Sequence, residues 1–187
     1  MGMPDVVRHW TREEVLALPE DGKRHELVDG ELMVSPSPGF LHQLFVKRLA
    51  SLLDEYVRYH GLGEAFGLPG DLDLGSGQVV QPDIFVLDWP ANQPPATWEA
   101  CGLPRLVVEV TSPATARYDR LLKRSAYLRA GIPTYWIVDL DARLVDVWTP
   151  EHDTPTVVDD TLTSQPDPAL PALTIDLPAL FARTIPS

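Results

Sequence analysis

Three residues have types and spacing that could act together: Asp83 in VVQPDIFVLDW, Glu109 in RLVVEVT and Lys123 in YDRLLK. Glu109 interrupts an apolar run of the kind that forms a strand buried on both faces. A bare carboxylate there costs several kcal/mol to desolvate unless a positive group sits beside it. Lys123 follows fourteen residues later, and Asp83 lies twenty-six residues earlier in a second apolar run. Two such carboxylates brought together repel, and one must take a proton. A hard divalent cation between them lets both stay ionised and keeps waters for a substrate and a nucleophile. All-oxygen ligation selects Mg2+, Mn2+ or Ca2+ over zinc. An ammonium beside such a centre orients or helps to deprotonate a water, or neutralises charge building on phosphate oxygens. Each residue also has a plainer reading. Asp83 after Pro82 can end a turn, Glu109 can lie on a half-exposed edge strand, and Lys123, with Asp119 at i−4, can form a surface ion pair. Their joint placement on strand, strand and following helix favours a shared site.

Other candidates are less specific. Glu26, ahead of Asp29-Gly30, reads as a third acidic member of the site or as a surface strand residue. His42 opens a helix, where a histidine is either exposed or, beside a metal–phosphate centre, in contact with substrate. Arg120 and Arg124 belong to a basic patch: between residues 112 and 130, Arg117, Arg120, Lys123, Arg124 and Arg129 are set against Asp119 alone. The patch matters because the net charge of −12 opposes tight nucleic-acid binding, which needs Lys and Arg at phosphates. Asp71 reads as a turn residue, and Tyr135 and Trp136 as core aromatics. The sequence contains no Gly-x-Ser-x-Gly elbow, Gly-Lys-Ser/Thr phosphate loop, Cys-x-x-Cys pair or His-Glu-x-x-His helix.

The elements that must position these residues are legible in the pattern. With 187 residues and a hydrophobic fraction of 44%, the chain can bury a sizeable core, and we expect one domain with an acidic, proline-rich extension over 150–187. The one cysteine, Cys101, excludes an internal disulfide. The N-terminus lacks the apolar core of a signal peptide and no apolar run approaches membrane-spanning length, so a soluble, cytoplasmic protein is expected. Thr11-Arg-Glu-Glu14 has the form of a capping box and predicts a short helix ending before Pro19. His25–Val34 reads as a hairpin around Asp29-Gly30. Apolar residues at 41, 45, 49, 52, 53 and 56 predict a helix to about His60. Short extended pieces follow at 63–66 and 71–74, then a strand over 79–87 with Val80, Ile84 and Val86 on one face and Gln81, Asp83, Phe85 and Leu87 on the other. Pro82 should start, bulge or edge that strand. Residues 106–111 form a strand with Val107, Glu109 and Thr111 on one face. Ser112-Pro113 caps a helix over 117–130 that packs through Tyr118, Leu121, Leu122, Ser125 and Leu128. A strand over 134–139 completes a right-handed β-α-β unit and pairs by hairpin with 144–148. The segment LTIDLPALFA can dock as a small strand and helical turn.

Taken in order, HELVDGELMVSPSPGFLHQ, VVQPDIFVLD, LVVEVTSPAT and YDRLLKRSAYLRAGIPTYWIVD resemble the Uma-two family of restriction-endonuclease-like proteins. That family belongs to the PD-(D/E)XK nuclease superfamily. The resemblance spans about residues 10–149. It implies an α/β, restriction-endonuclease-like fold with a mixed central β-sheet flanked by helices, here with an N-terminal hairpin. It also implies metal binding by Asp83 and Glu109 with the Val110 carbonyl, and matches Glu26 to an acidic residue from the N-terminal elements. Where the motif expects lysine, two residues after the second acid, this chain has Thr111; Lys123 is the candidate substitute. The resulting expectation is a Mg2+-dependent (or Mn2+-dependent) endonuclease that hydrolyses DNA phosphodiester bonds, with a homodimer as the usual arrangement for cutting both strands. The alternative is a catalytically inactive nuclease-fold protein that serves as a binding or assembly module.

Overall fold

The apolar runs that contain Asp83 and Glu109 are buried on both faces because they lie inside a six-stranded sheet. The computed structural model describes residues 8–67, 70–75, 77–90, 93–111 and 119–185. A short helix α1 (Arg12–Leu16) precedes strands β1 (Arg24–Val28) and β2 (Glu31–Ser35), and a long helix α2 (Phe40–Tyr59) follows them. Then come β3 (Gly63–Phe66), β4 (Leu72–Asp73), β5 (Val79–Val80), β6 (Ile84–Asp88) and β7 (Leu106–Thr111). A π-helical turn (Asp119–Lys123) runs into α3 (Arg124–Ala130), followed by β8 (Thr134–Asp139) and β9 (Leu144–Trp148). The described C-terminal elements are β10 (Thr156–Val158), β11 (Thr161–Ser164), β12 (Leu173–Asp176) and α4 (Leu177–Thr184). The central sheet has the order β10-β9-β8-β7-β6-β3, mixed as expected, with β7 and β8 parallel and the other neighbours antiparallel. A second sheet, β2-β1-β5-β4, is antiparallel, and β11 pairs with β12.

Side-chain alternation along β7 divides the core. Leu106, Val108 and Val110 pack with Phe45, Leu49 and Leu53 of α2, whereas Val107 joins Tyr127 and the second sheet's Val28 and Val80 on the opposite face. The predicted hairpin forms around Asp29 and Gly30, both at positive φ (52° and 81°), as a two-residue turn of this hand requires. The capping box at Thr11 and Glu14 is present. The C-terminal residues are part of the α2 side of the core: Leu162, Ile175, Leu177, Leu180 and Phe181 are buried there, and the Phe181 ring stacks on Phe45 at 5.0 Å.

Two expectations need correction. The strand expected over 79–87 is two strands in different sheets, broken at Gln81-Pro82-Asp83, so Val80 packs with Phe85 and Leu87 rather than with Ile84 and Val86. The break is stabilised by β1: the Gln81 N–H donates to Glu26 Oε1 at 2.7 Å, and Arg24 Nη1 reaches the Gln81 carbonyl at 3.4 Å. Pro82 has no N–H to continue the ladder. The second correction concerns the phase of the helix before β8. Its buried residues are Asp119, Lys123, Ala126 and Tyr127, while Leu121 is 60% exposed. The leucine stripe misled because this helix turns a charged face inward. Ser112-Pro113, Arg117 and Tyr118 lie outside the described residues.

Candidate active site

β6 and β7 pair with Ile84 opposite Val108, so one further step along the register sets Asp83 opposite Glu109. Glu26 lies on β1, and the π-helical turn supplies Asp119 and Lys123. These side chains converge on a cavity of about 190 Å3, walled on its other side by the Ser35–Gly39 loop and His42. The sequence-predicted residues Asp83, Glu109, Lys123, Glu26, His42 and Val110 all line it. Arg120 and Arg124 do not.

Lys123 is the electrostatic centre of one half of the cavity. Its Nζ stands 2.8 Å from Glu26 Oε2, 3.1 Å from Glu109 Oε1 and 3.4 Å from Asp119 Oδ1, and all four residues are buried. Burial would lower the Lys123 pKa, but Glu109, Glu26 and Asp119 together hold it above the usual lysine value. This is not the surface pair that i−4 spacing also allowed. Glu109 is pushed well above the ordinary carboxylate range, first by burial and then by the charges of Asp119, Asp83 and Glu26, which one ammonium does not offset. The Tyr127 hydroxyl donates to Glu109 Oε1 at 2.9 Å; burial among these carboxylates keeps that phenol protonated.

The other half is organised around Asp83. The Val110 N–H donates to its Oδ2 at 2.8 Å, and His42 Nε2 stands 3.1 Å from the same oxygen and 2.9 Å from the Val110 carbonyl oxygen. Arg24 Nη2 lies 2.7 Å from Asp83 Oδ1, a charge contact without an N–H aligned as a hydrogen bond. Burial raises the Asp83 pKa, but His42, Arg24 and the Val110 N–H outweigh it, and the carboxyl titrates below its usual range.

Sequence reasoning missed Arg24 and Asp119, which line this cavity, and Tyr127, which holds Glu109 from behind it. Arg24 and Glu26 share a face of β1 by period-two alternation, a signal that was available. Asp119 and Tyr127 sit four residues either side of Lys123, so the lysine's own helix face pointed to both. Thr111, in the position where lysine was expected, is buried and donates to the Val138 carbonyl at 3.1 Å.

Among the described residues, the arginines of the basic patch have partners. Arg120 contacts Asp139 at 3.0 Å and Asp146 at 3.3 Å, Arg129 contacts Asp29 at 2.6 Å, and the Arg124 guanidinium lies 4.2 Å over the Trp148 ring. Arg117 is outside the described residues. Among the described residues no helix is long and apolar enough to cross a membrane.

The chain is similar to a solved structure titled as a putative nuclease belonging to DUF820 from Anabaena variabilis ATCC 29413. The TM-score is 0.72 at 21% identity, over 94% of this chain and 99% of that one. The likeness shows that the two chains share a fold. No curated protein matches. A family model, Uma2, described as "Putative restriction endonuclease", matches residues 12–178, and the chain belongs to that family.

Proposed function

We propose that the cavity is the active site of a metal-dependent phosphodiesterase acting on DNA, with Mg2+ or Mn2+ held by Asp83, Glu109 and the Val110 carbonyl. The observation that carries this reading is the donor set: two buried carboxylates on neighbouring strands and a backbone carbonyl beside them, all oxygen, open to one cavity. The local charge fits a divalent ion. Glu26, Asp83, Glu109 and Asp119 bring four carboxyl groups, and Arg24 and Lys123 bring two positive charges, before His42 is counted. Among the described residues no three His, Cys, Asp or Glu side chains are grouped so as to hold a metal. The fit is therefore with two carboxylates and a carbonyl, the remaining positions going to water and phosphate oxygens, as Mg2+ prefers.

A bound Mg2+ or Mn2+ would supply Lewis-acid polarisation of the phosphate and a more acidic water. The chain's own residues position and neutralise. Lys123, kept protonated by three carboxylates, serves as a cation that orients Glu109 and compensates charge on the phosphate; it does not serve as a base. Glu26 fixes Lys123 with one oxygen and the Gln81 N–H with the other, so the same carboxylate positions both the ammonium and the strand break that carries Asp83.

A nuclease assay on plasmid and single-stranded DNA tests the proposal. Cleavage dependent on Mg2+ or Mn2+ is expected, reduced about a hundredfold or more by Asp83→Ala or Glu109→Ala. Wild-type protein without activity, or activity untouched by both substitutions, would overturn it. The pairing of Arg120 and Arg129 favours a second reading, a nuclease-fold binding or assembly module, because it draws those two guanidiniums away from a phosphate backbone. An inactive protein that still binds DNA or a protein partner would be the outcome that favours it.

A further inference from the structure

The Asp83 and Val110 oxygens assigned to the cation are both held by one imidazole. His42 Nε2 is 3.1 Å from Asp83 Oδ2 and 2.9 Å from the Val110 carbonyl oxygen. A carbonyl oxygen can only accept, so Nε2 carries the hydrogen and shares it between the two acceptors. The other ring nitrogen, Nδ1, is buried without a hydrogen-bond partner among the described residues. The ring is thus tied to the site through its Nε2–H, from the first turn of α2, where Gly39 supplies no side-chain cap and the Ser37–Gly39 loop lines the same cavity.

We propose that His42 is the gatekeeper of this centre: its Nε2–H holds the Asp83 carboxylate and the Val110 carbonyl and must release them before a divalent ion is bound. The inference rests on the cation reading above. The imidazole keeps the two oxygens aimed at the cavity, and it does so in competition with the metal. Its removal therefore strengthens cation binding. A side chain whose role is to ligate the metal would weaken binding when lost, so the sign of the change separates the two roles.

The experiment is a Mn2+ titration, read by the electron paramagnetic resonance signal of the free ion, on wild type, His42→Ala and His42→Gln. His42→Ala should bind about tenfold more tightly, the worth of a hydrogen bond to a charged acceptor. His42→Gln retains an N–H donor and should stay within about threefold of wild type. In wild type, a Mg2+ titration followed by nuclear magnetic resonance should shift or remove the His42 Nε2–H signal as the site fills. Binding by His42→Ala that is unchanged or weaker than wild type would overturn the gatekeeper role while leaving the cation site intact. Absence of binding in both proteins would overturn the cation reading itself.

Discussion

Asp83, just before β6, and Glu109 of β7 line one cavity, yet their surroundings drive their acidity in opposite directions. Around Asp83, burial is more than offset by His42, Arg24 and the Val110 N–H. Around Glu109, burial and the charges of Asp119, Asp83 and Glu26 exceed what Lys123 supplies. One half of the cavity is electrostatically balanced and the other is short of positive charge. Ion pairing has to be counted over the whole pocket: the 3.1 Å Lys123–Glu109 contact, taken alone, would make Glu109 look satisfied. On the proposed reading the added cation would serve the Glu109 side, while His42 Nε2 stands at hydrogen-bond distance from Asp83 Oδ2 and the Val110 carbonyl oxygen on the other.

The largest way to break this comparison is Lys123→Met. It strands Glu26, Glu109 and Asp119 without their ammonium, and should cost about 3–5 kcal/mol in chemical denaturation. A loss below about 1 kcal/mol would mean the carboxylates are not charged as described. Arg24→Gln acts on the balanced half, where His42 and the Val110 N–H remain, and should cost a smaller amount, about 1–3 kcal/mol.

The pH dependence of stability sharpens the contrast between the two carboxylates. The folded state holds the Glu109 proton more tightly than the unfolded chain does. Its contribution is fully present below the ordinary value of 4.5 and is lost as pH rises through the raised folded value. Asp83 runs the other way: its contribution is present above 3.8 and is lost as pH falls through the depressed folded value. Denaturation midpoints measured against pH should show a decline as pH rises above 4.5 in wild type and a flatter curve in Glu109→Gln; an equal decline in both would contradict the assignment. At the small end, Arg129→Ala removes an exposed pair with Asp29 and should change stability by no more than about 1 kcal/mol.

Much of this arrangement was legible in the sequence, and the omissions share a cause. The Asp29-Gly30 turn, the apolar stripe of α2 and the runs around Asp83 and Glu109 follow patterns set by backbone geometry and periodic burial. The meeting of Asp83, Glu109, Lys123 and Glu26 could be anticipated because each is a charge in an apolar setting or beside a turn. Asp119 and Tyr127 were overlooked because periodicity assigns the inward face by hydrophobicity. This helix buries Asp119 and Lys123 and exposes Leu121. The face of Val80 was misread because alternation cannot be carried across a break, and Gln81-Pro82 is one. The pairing of Arg120 and Arg129 was not legible because their partners, Asp29, Asp139 and Asp146, come from distant strands and turns.

The most direct test of the central claim is isothermal titration of Mg2+ and Mn2+ into wild type, Asp83→Asn and Glu109→Gln. The account predicts one site per chain in wild type. It also predicts affinity at least about tenfold weaker in either variant, since each removes one of two charged ligands. Wild-type protein that binds neither ion, or binding that both substitutions leave unchanged, would contradict it.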